Sequence, residues 1–448
     1  VQTGIGVLVR TGGTRKDVLS WLPPRWLLAV LAAWTVASSA LSMIGTTGQK
    51  YGGGIDWRAF LVPGSRLLYS GAVGYHCPGL PYSHLAGGLH LYASYPCLQI
   101  GPLAFATAGP IRLLGPHNGL VAAELIMSAI GLAVLLVLWR IMVIVRPELQ
   151  GRRAAQWTFL AGAGVFMVTW ETLAVADGHL DDVLALLLAA LGVLAGVRGR
   201  PVLTGLAIGL AVDAKPWALI FLPVLLLAAG LGAWRSASLA GRPVRGSIRP
   251  CLLAGCVAVA VIAVGWLPFY LADHGTSAAF HFQIYNSWAS GLRVLGVHPK
   301  YSPSWVRPVQ IVLGCLLGTI AIWRGRWPAV LLLGAGARIA LDPGTHGYYT
   351  PGLLAGALLW DLVGSRRPVP IWTVLSYCAL NLITVFTAHG YLRGDARFGL
   401  VAAFTAMIVL GPARWFWQPG IPGLAPAPTA ATEASAAPPA RARPRSRH

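Results

Sequence analysis

The chain has 448 residues, of which 56% are hydrophobic and only 11% charged, with a mean hydropathy of +0.65. A soluble domain carries about 25% charged residues, so this composition excludes an ordinary soluble enzyme. The formal net charge of +20 sits largely in short loops between apolar runs, where it sets orientation and meets anionic lipid headgroups; no nucleic-acid motif accompanies it.

Residues 1–25 carry Arg10, Arg15, Lys16 and Arg25 against Asp17, which places this N-terminal segment in the cytoplasm. Its polar start argues against a cleavable signal peptide. Residues 26–44 read as a first span, and residues 45–118 as a long first extracytoplasmic loop. Early in that loop, Asp56 stands beside Trp57 and Arg58 at the exit of the span. An amphipathic run with Phe60, Leu61, Leu67 and Leu68 follows, the pattern of a helix lying in the membrane interface. Cys77 and Cys97 share this loop and could pair if it faces an oxidising space. Residues 99–114 are apolar but broken by Pro102, Gly109 and Pro110, which suits an interfacial or re-entrant segment.

Further apolar runs cover residues 120–139, 154–175, 183–197, 201–212, 216–232 and 251–271. They continue at 307–323, 328–341, 348–362, 369–387 and 398–417. Leu, Ala, Val and Gly dominate them, as in helices rather than barrel strands. The expected fold class is therefore an all-α polytopic membrane protein, with about 12 transmembrane helices across residues 26–417 and both termini inside. Residues 418–448, rich in Pro, Ala and Arg, read as a disordered basic cytoplasmic tail. With this parity most Lys and Arg fall inside. Every His except His448 falls outside, together with Asp56, Asp177, Asp181, Asp182, Asp213 and Asp342. Positive-inside bias explains the first half of that pattern; shared chemistry on one face is the simplest account of the second.

Four constellations stand out. Asp56 is a candidate general base, or a ligand for a metal or an acceptor hydroxyl; a helix cap or solvated loop acid is its plain alternative. The run Asp177-Gly178-His179-Leu180-Asp181-Asp182 is the densest polar cluster between two apolar helices. It suits a divalent cation, sugar hydroxyls or a basic partner, and capping accounts for only one of its acids. Asp213-Ala214-Lys215-Pro216-Trp217 interrupts an apolar stretch. Lys215 there is a candidate phosphate ligand, with snorkelling or an Asp213 pair as the alternative. Finally, Asp342 and His346-Gly347-Tyr348-Tyr349 form a polar turn into a later span: an imidazole for phosphate or sugar, and tyrosines for sugar stacking or headgroup anchoring. Walker, dinucleotide, HExxH and CxxC motifs are absent, and the sequence shows no soluble nucleotide-sugar domain, so any sugar donor is expected to be a lipid.

The order of these elements resembles a family. The early loop Asp, the in-plane helix, Tyr95-Pro96, LAIGLAVDAKPWALIFLPVLLL over residues 206–227, and His-Gly-Tyr-Tyr over residues 346–349 are similar to features of actinobacterial GT-C glycosyltransferases. Those enzymes use polyprenyl-phosphate sugars, and the group includes the mannosyl- and arabinofuranosyltransferases of the cell envelope. The resemblance implies a GT-C-like bundle acting at the extracytoplasmic face of the plasma membrane. The sugar would pass from a polyprenyl-phosphate donor to a lipid-linked or glycan acceptor, with inversion. It implies Asp56 as catalytic base and Lys215 on the donor phosphate, and the residues themselves offer His346 as its helper there. Trp57, Arg58, Asp177, His179, Asp181, Asp182, Tyr348 and Tyr349 become the expected substrate contacts. No cofactor is required on this reading, although Asp177, Asp181 and Asp182 are the acids that would hold a divalent cation. Tyr95-Pro96-Cys97 and the acidic turn at 177–182 depart from the family pattern. A lipid or solute transporter is the rival class, with Glu124 and Glu171 as its best residues.

Overall fold

Short breaks between apolar helices decide where the polar residues of this chain meet. The computed structural model describes residues 22–47, 52–70, 87–94, 99–230, 248–281, 284–383, 391–412 and 415–416. The chain divides into two units, Val1–Trp417 and Gln418–His448, and the described residues belong to the first. The start of the chain, Cys77, Cys97, Tyr95-Pro96 and the tail lie outside the described residues.

Most of the described residues are helical, and the β-pairing among them is confined to isolated bridges such as Tyr285 with Tyr301. In chain order the helices are α1 (Arg25–Thr47), α2 (Val62–Ser70), α3 (Pro102–Ile111), α4 (Pro116–Val145) and α5 (Arg153–Glu171). They continue with α6 (Leu180–Val197), α7 (Pro201–Ala214), a 3-10 segment (Pro216–Ala229) and α8 (Arg249–Ala272). The last are α9 (Val306–Trp323), α10 (Val330–Ala340), α11 (Thr350–Leu359), α12 (Ile371–Tyr377) and α13 (Tyr391–Leu410). Proline sits in the first turn of α3, α4, α7 and α8, where its missing N–H costs nothing. Among the described residues, six helices are long and apolar enough to cross a membrane: Arg25–Thr47, Pro116–Val145, Arg153–Asp177, Leu180–Val197, Arg249–Ala272 and Val306–Trp323. Five shorter apolar helices accompany them. Large apolar side chains face outward; on α8, Val264 is 77% and Leu271 69% exposed, as on a lipid-contacting face. The chain is thus an all-α membrane protein.

Several expected boundaries shift for physical reasons. The amphipathic run after Asp56 is a π turn, Trp57–Leu61, leading into α2. α4 begins with His117, Asn118 and Gly119 in left-handed conformation, so its regular helix starts near residue 120, where the apolar run begins. α6 starts three residues earlier than its apolar run, because Asp181 and Asp182 are drawn into its first turn and buried. Neither acts as an N-cap: the cap position is His179 and no side chain caps it. Their negative charge complements the helix dipole instead. α13 also begins upstream of its apolar run. Arg397 is buried and donates to the carbonyls of Gly344 (3.0 Å) and His346 (3.3 Å), which uses a charged residue as a tie for the 342–346 turn.

One crossing sets the site. Gly178 closes α5's π extension (Thr172–Asp177) with φ +72°, the left-handed stop that favours glycine. A Cβ there would lie 2.8 Å from the Gly54 Cα, so glycine is what lets the two loops touch. The amide of Gly54 donates to the carbonyls of Val175 (2.8 Å) and Ala176 (3.1 Å), pinning the segment that carries Asp56 onto the turn that carries His179.

Candidate functional site

Three chain breaks converge: residues 52–56, 178–182 and 213–217. The Asp56 carboxylate reaches His179, with Oδ2 2.9 Å from Nδ1. The same nitrogen lies 3.7 Å from Asp181 Oδ1 and 3.7 Å from Asp182 Oδ2. The outer oxygens of the two acids are held by other groups. The Lys215 ammonium donates to Asp181 Oδ2. Asp182 Oδ1 accepts from the Trp217 indole (2.6 Å) and the Arg338 guanidinium (3.1 Å). Arg338 is itself buried, stacked over Trp217 (4.0 Å) and Tyr349 (4.4 Å). The Tyr348 ring covers the His179 imidazole, with centroids 3.9 Å apart.

Charges this close set one another's protonation. Burial pushes the His179 pKa down, but Asp56 and Asp181 overrule it and bring it up to about 10. Burial likewise works against the Lys215 ammonium, yet Asp181 and Asp182 outweigh it and hold its pKa above the ordinary lysine value. Lys215 is therefore a charged partner of two carboxylates rather than the lone cation, or the Asp213 partner, that its sequence position suggests.

Beside this network lies a cavity of about 560 Å³, within the range of small-ligand sites. Its lining includes the polar residues Asp56, His179, Asp182, Lys215, Arg307 and Arg338, with Tyr348 and Tyr349. The apolar Ile220, Trp266, Phe280, Ile311 and Val312 line it as well. Arg307 donates to Gln310 (2.8 Å) and Asp342 (3.2 Å). Asp56 and Lys215, more than 150 residues apart in sequence, thus face one cavity that also offers an amphiphile both cations and hydrocarbon.

No protein-family model, curated protein or solved structure matches the chain.

The expected site residues separate into two groups. Asp56, His179, Asp182, Lys215, Tyr348 and Tyr349 line the cavity, and Asp181 supports it from behind. The others do not reach it. Trp57 is fully buried and donates to the Asn118 carbonyl at 3.1 Å, a structural tie. Arg58 is exposed, with its guanidinium against Gly52. Asp177 is half-buried on the preceding turn and forms none of the cluster's ion pairs. His346 is exposed and stacks on the Tyr348 ring at 5.0 Å, outside the cavity lining. Arg338, Arg307 and Gln310 were missed. Arg338 had a signal: it is a charged residue inside the apolar run 328–341, and such residues mark functional or paired positions.

Proposed function

We propose that this protein is a membrane glycosyltransferase that moves a sugar from a polyprenyl-phosphate donor to the hydroxyl of a lipid-linked or glycan acceptor. The observation that carries the reading is the shared cavity, whose lining combines the half-buried carboxylate of Asp56, the cations Lys215, Arg307 and Arg338, and apolar side chains. A lipid phosphate needs both kinds of surface, and a water-soluble sugar nucleotide would not use the second. The resemblance of the motif order to the mannosyl- and arabinofuranosyltransferase group supports the same reaction. In that arrangement about twelve helices span the plasma membrane, with both termini cytoplasmic and the site extracytoplasmic.

The chemistry is a single displacement. The acceptor oxygen attacks the anomeric carbon as Asp56 takes its proton. The new glycosidic C–O bond forms as the bond from the anomeric carbon to the phosphate oxygen breaks, inverting that carbon. Polyprenyl phosphate leaves with the bonding electrons, and its charge is met by Arg307, Arg338 and Lys215. His179 acts as a positioning residue: its Nδ1, 2.9 Å from Asp56 Oδ2, fixes that carboxylate against the cavity. Tyr348 and Tyr349 line the cavity where the sugar would sit. Holding both lipids at the membrane lowers the entropic cost of their meeting.

The test is reconstitution in liposomes with radiolabelled polyprenyl-phosphate mannose or arabinofuranose and an envelope lipid extract. Label moving into a more polar lipid or glycan supports the reading. A second reading, transport of a lipid or solute, draws on the buried acids Glu124 and Glu171, the latter accepting from Ser128 at 2.7 Å. Movement of labelled lipid between leaflets without transfer would favour it.

A further inference from the structure

The contacts around His179 ask more of one nitrogen than it can give. An imidazolium Nδ1 carries one proton and makes one good hydrogen bond. Here three carboxylate oxygens face it: Asp56 Oδ2 at 2.9 Å, Asp181 Oδ1 at 3.7 Å and Asp182 Oδ2 at 3.7 Å. Asp56 takes that one bond, and Oδ1 of Asp181 and Oδ2 of Asp182 are left buried without a hydrogen-bond partner among the described residues. Asp181 is 0% and Asp182 2% exposed. Orphaned carboxylate oxygens at that depth are costly.

From this we propose a divalent-cation site formed by His179 Nδ1, Asp181 Oδ1 and Asp182 Oδ2, with Asp56 Oδ2 closing it from the cavity side. Ligand atoms of the first three residues lie within 4.8 Å of one another. Tetrahedral ligands at about 2.0–2.2 Å from a metal stand about 3.3–3.6 Å apart. The N–O separations of 2.9, 3.7 and 3.7 Å bracket that spacing, so a small shift of Asp56 would complete the set. One nitrogen and three carboxylate oxygens suit an ion of the Zn²⁺ or Mn²⁺ class.

The surroundings already do what outer groups do at metal sites. Lys215 holds the far oxygen of Asp181, and Trp217 and Arg338 hold the far oxygen of Asp182; each leaves the inner oxygen free to ligate. Tyr348 fixes the plane of the imidazole. The acids that sequence alone marks for a cation were Asp177, Asp181 and Asp182; the fold replaces Asp177 with His179. Charge also changes in a useful direction. Three carboxylates against His179 as imidazolium, Lys215 and Arg338 leave no net charge. A divalent ion in place of the imidazolium proton leaves one positive charge at the cavity wall, complementary to an anionic ligand.

The test needs neither donor nor acceptor, so it stands apart from the transfer reading. Full-length protein in detergent is stripped with chelator, re-equilibrated with MnCl₂ or ZnCl₂ at neutral pH, and bound metal is counted. The expected result is one equivalent per chain, with nitrogen coupling from an imidazole in the Mn²⁺ spin-echo spectrum. His179→Gln and Asp182→Asn should each weaken binding by about 100-fold or more, while Asp177→Asn leaves it unchanged. His179→Gln keeps the Lys215 and Arg338 pairs, so it decides if Asp182→Asn fails to fold. No uptake of either ion, bound Mn²⁺ lacking nitrogen coupling, or undiminished uptake by folded His179→Gln would overturn the site.

Discussion

Replacing Arg338 with methionine probes the buried network most sharply. Arg338 is 7% exposed, and its guanidinium pairs with Asp182 at 3.1 Å and lies over the Trp217 and Tyr349 rings. Methionine keeps the apolar stem but removes the charge. Breaking a buried pair from one side costs about 3–5 kcal/mol, because the surviving charge stays buried. Asp182 would retain the Trp217 indole at 2.6 Å and Lys215 at 3.7 Å, so the low end, about 3 kcal/mol, is expected. Neutralising Asp182 as well, in Arg338→Met/Asp182→Asn, removes the stranded charge and should recover at least half the loss. SDS titration of tryptophan fluorescence in mixed micelles gives all three stabilities. If the single variant costs under about 1 kcal/mol, or the double variant is no more stable than the single, the coupling expected of contacting residues is missing and the network reasoning fails.

Other outcomes follow from the same geometry. In chelator-treated protein, His179 titrates near 10 in the fold against about 6.5 unfolded. Its stabilising contribution is full below the unfolded value and fades as pH rises through the folded one. Stability should fall between pH 7 and 10, and more steeply than in His179→Gln; an identical pH slope in both proteins would contradict the assignment. Trp217→Phe keeps a ring under Arg338 but removes the indole donor to Asp182, an expected cost of about 2 kcal/mol that SDS titration will read. Gly101→Ala drives a Cβ to 1.9 Å from the Asp213 carbonyl, and should cost about 3 kcal/mol or more by overpacking. Gly164→Ala, which meets nothing within 4 Å, serves as its neutral control. Equal monodisperse yield of the two glycine variants on fluorescence size-exclusion would refute the close crossing at Gly101.

Sequence made the helical membrane architecture legible because apolar composition and loop charge carry that information directly. It also singled out Asp56, the 177–182 turn, Lys215 and the 346–349 turn, since polar residues interrupting apolar runs are costly without a purpose. Pairing was hidden. Nothing local says that Lys215 meets Asp181 across 34 residues, or that Arg338 meets Asp182 across 156. Those contacts depend on glycine-permitted crossings such as Gly178 against Gly54. Adjacency misled in the same way: Trp57 and Arg58 flank Asp56 in sequence, yet their helical turn directs one into the core and the other outward. Asp177 precedes the π turn's left-handed stop and is carried away from its neighbours for a comparable reason.

The most direct measurement of the proposed activity is the initial rate of sugar transfer in proteoliposomes, comparing wild type with Asp56→Asn at matched folding and matched donor binding. Loss of the base should lower the rate by about 10²–10⁴-fold while donor affinity changes little. Transfer by Asp56→Asn at a rate near that of wild type would contradict the account.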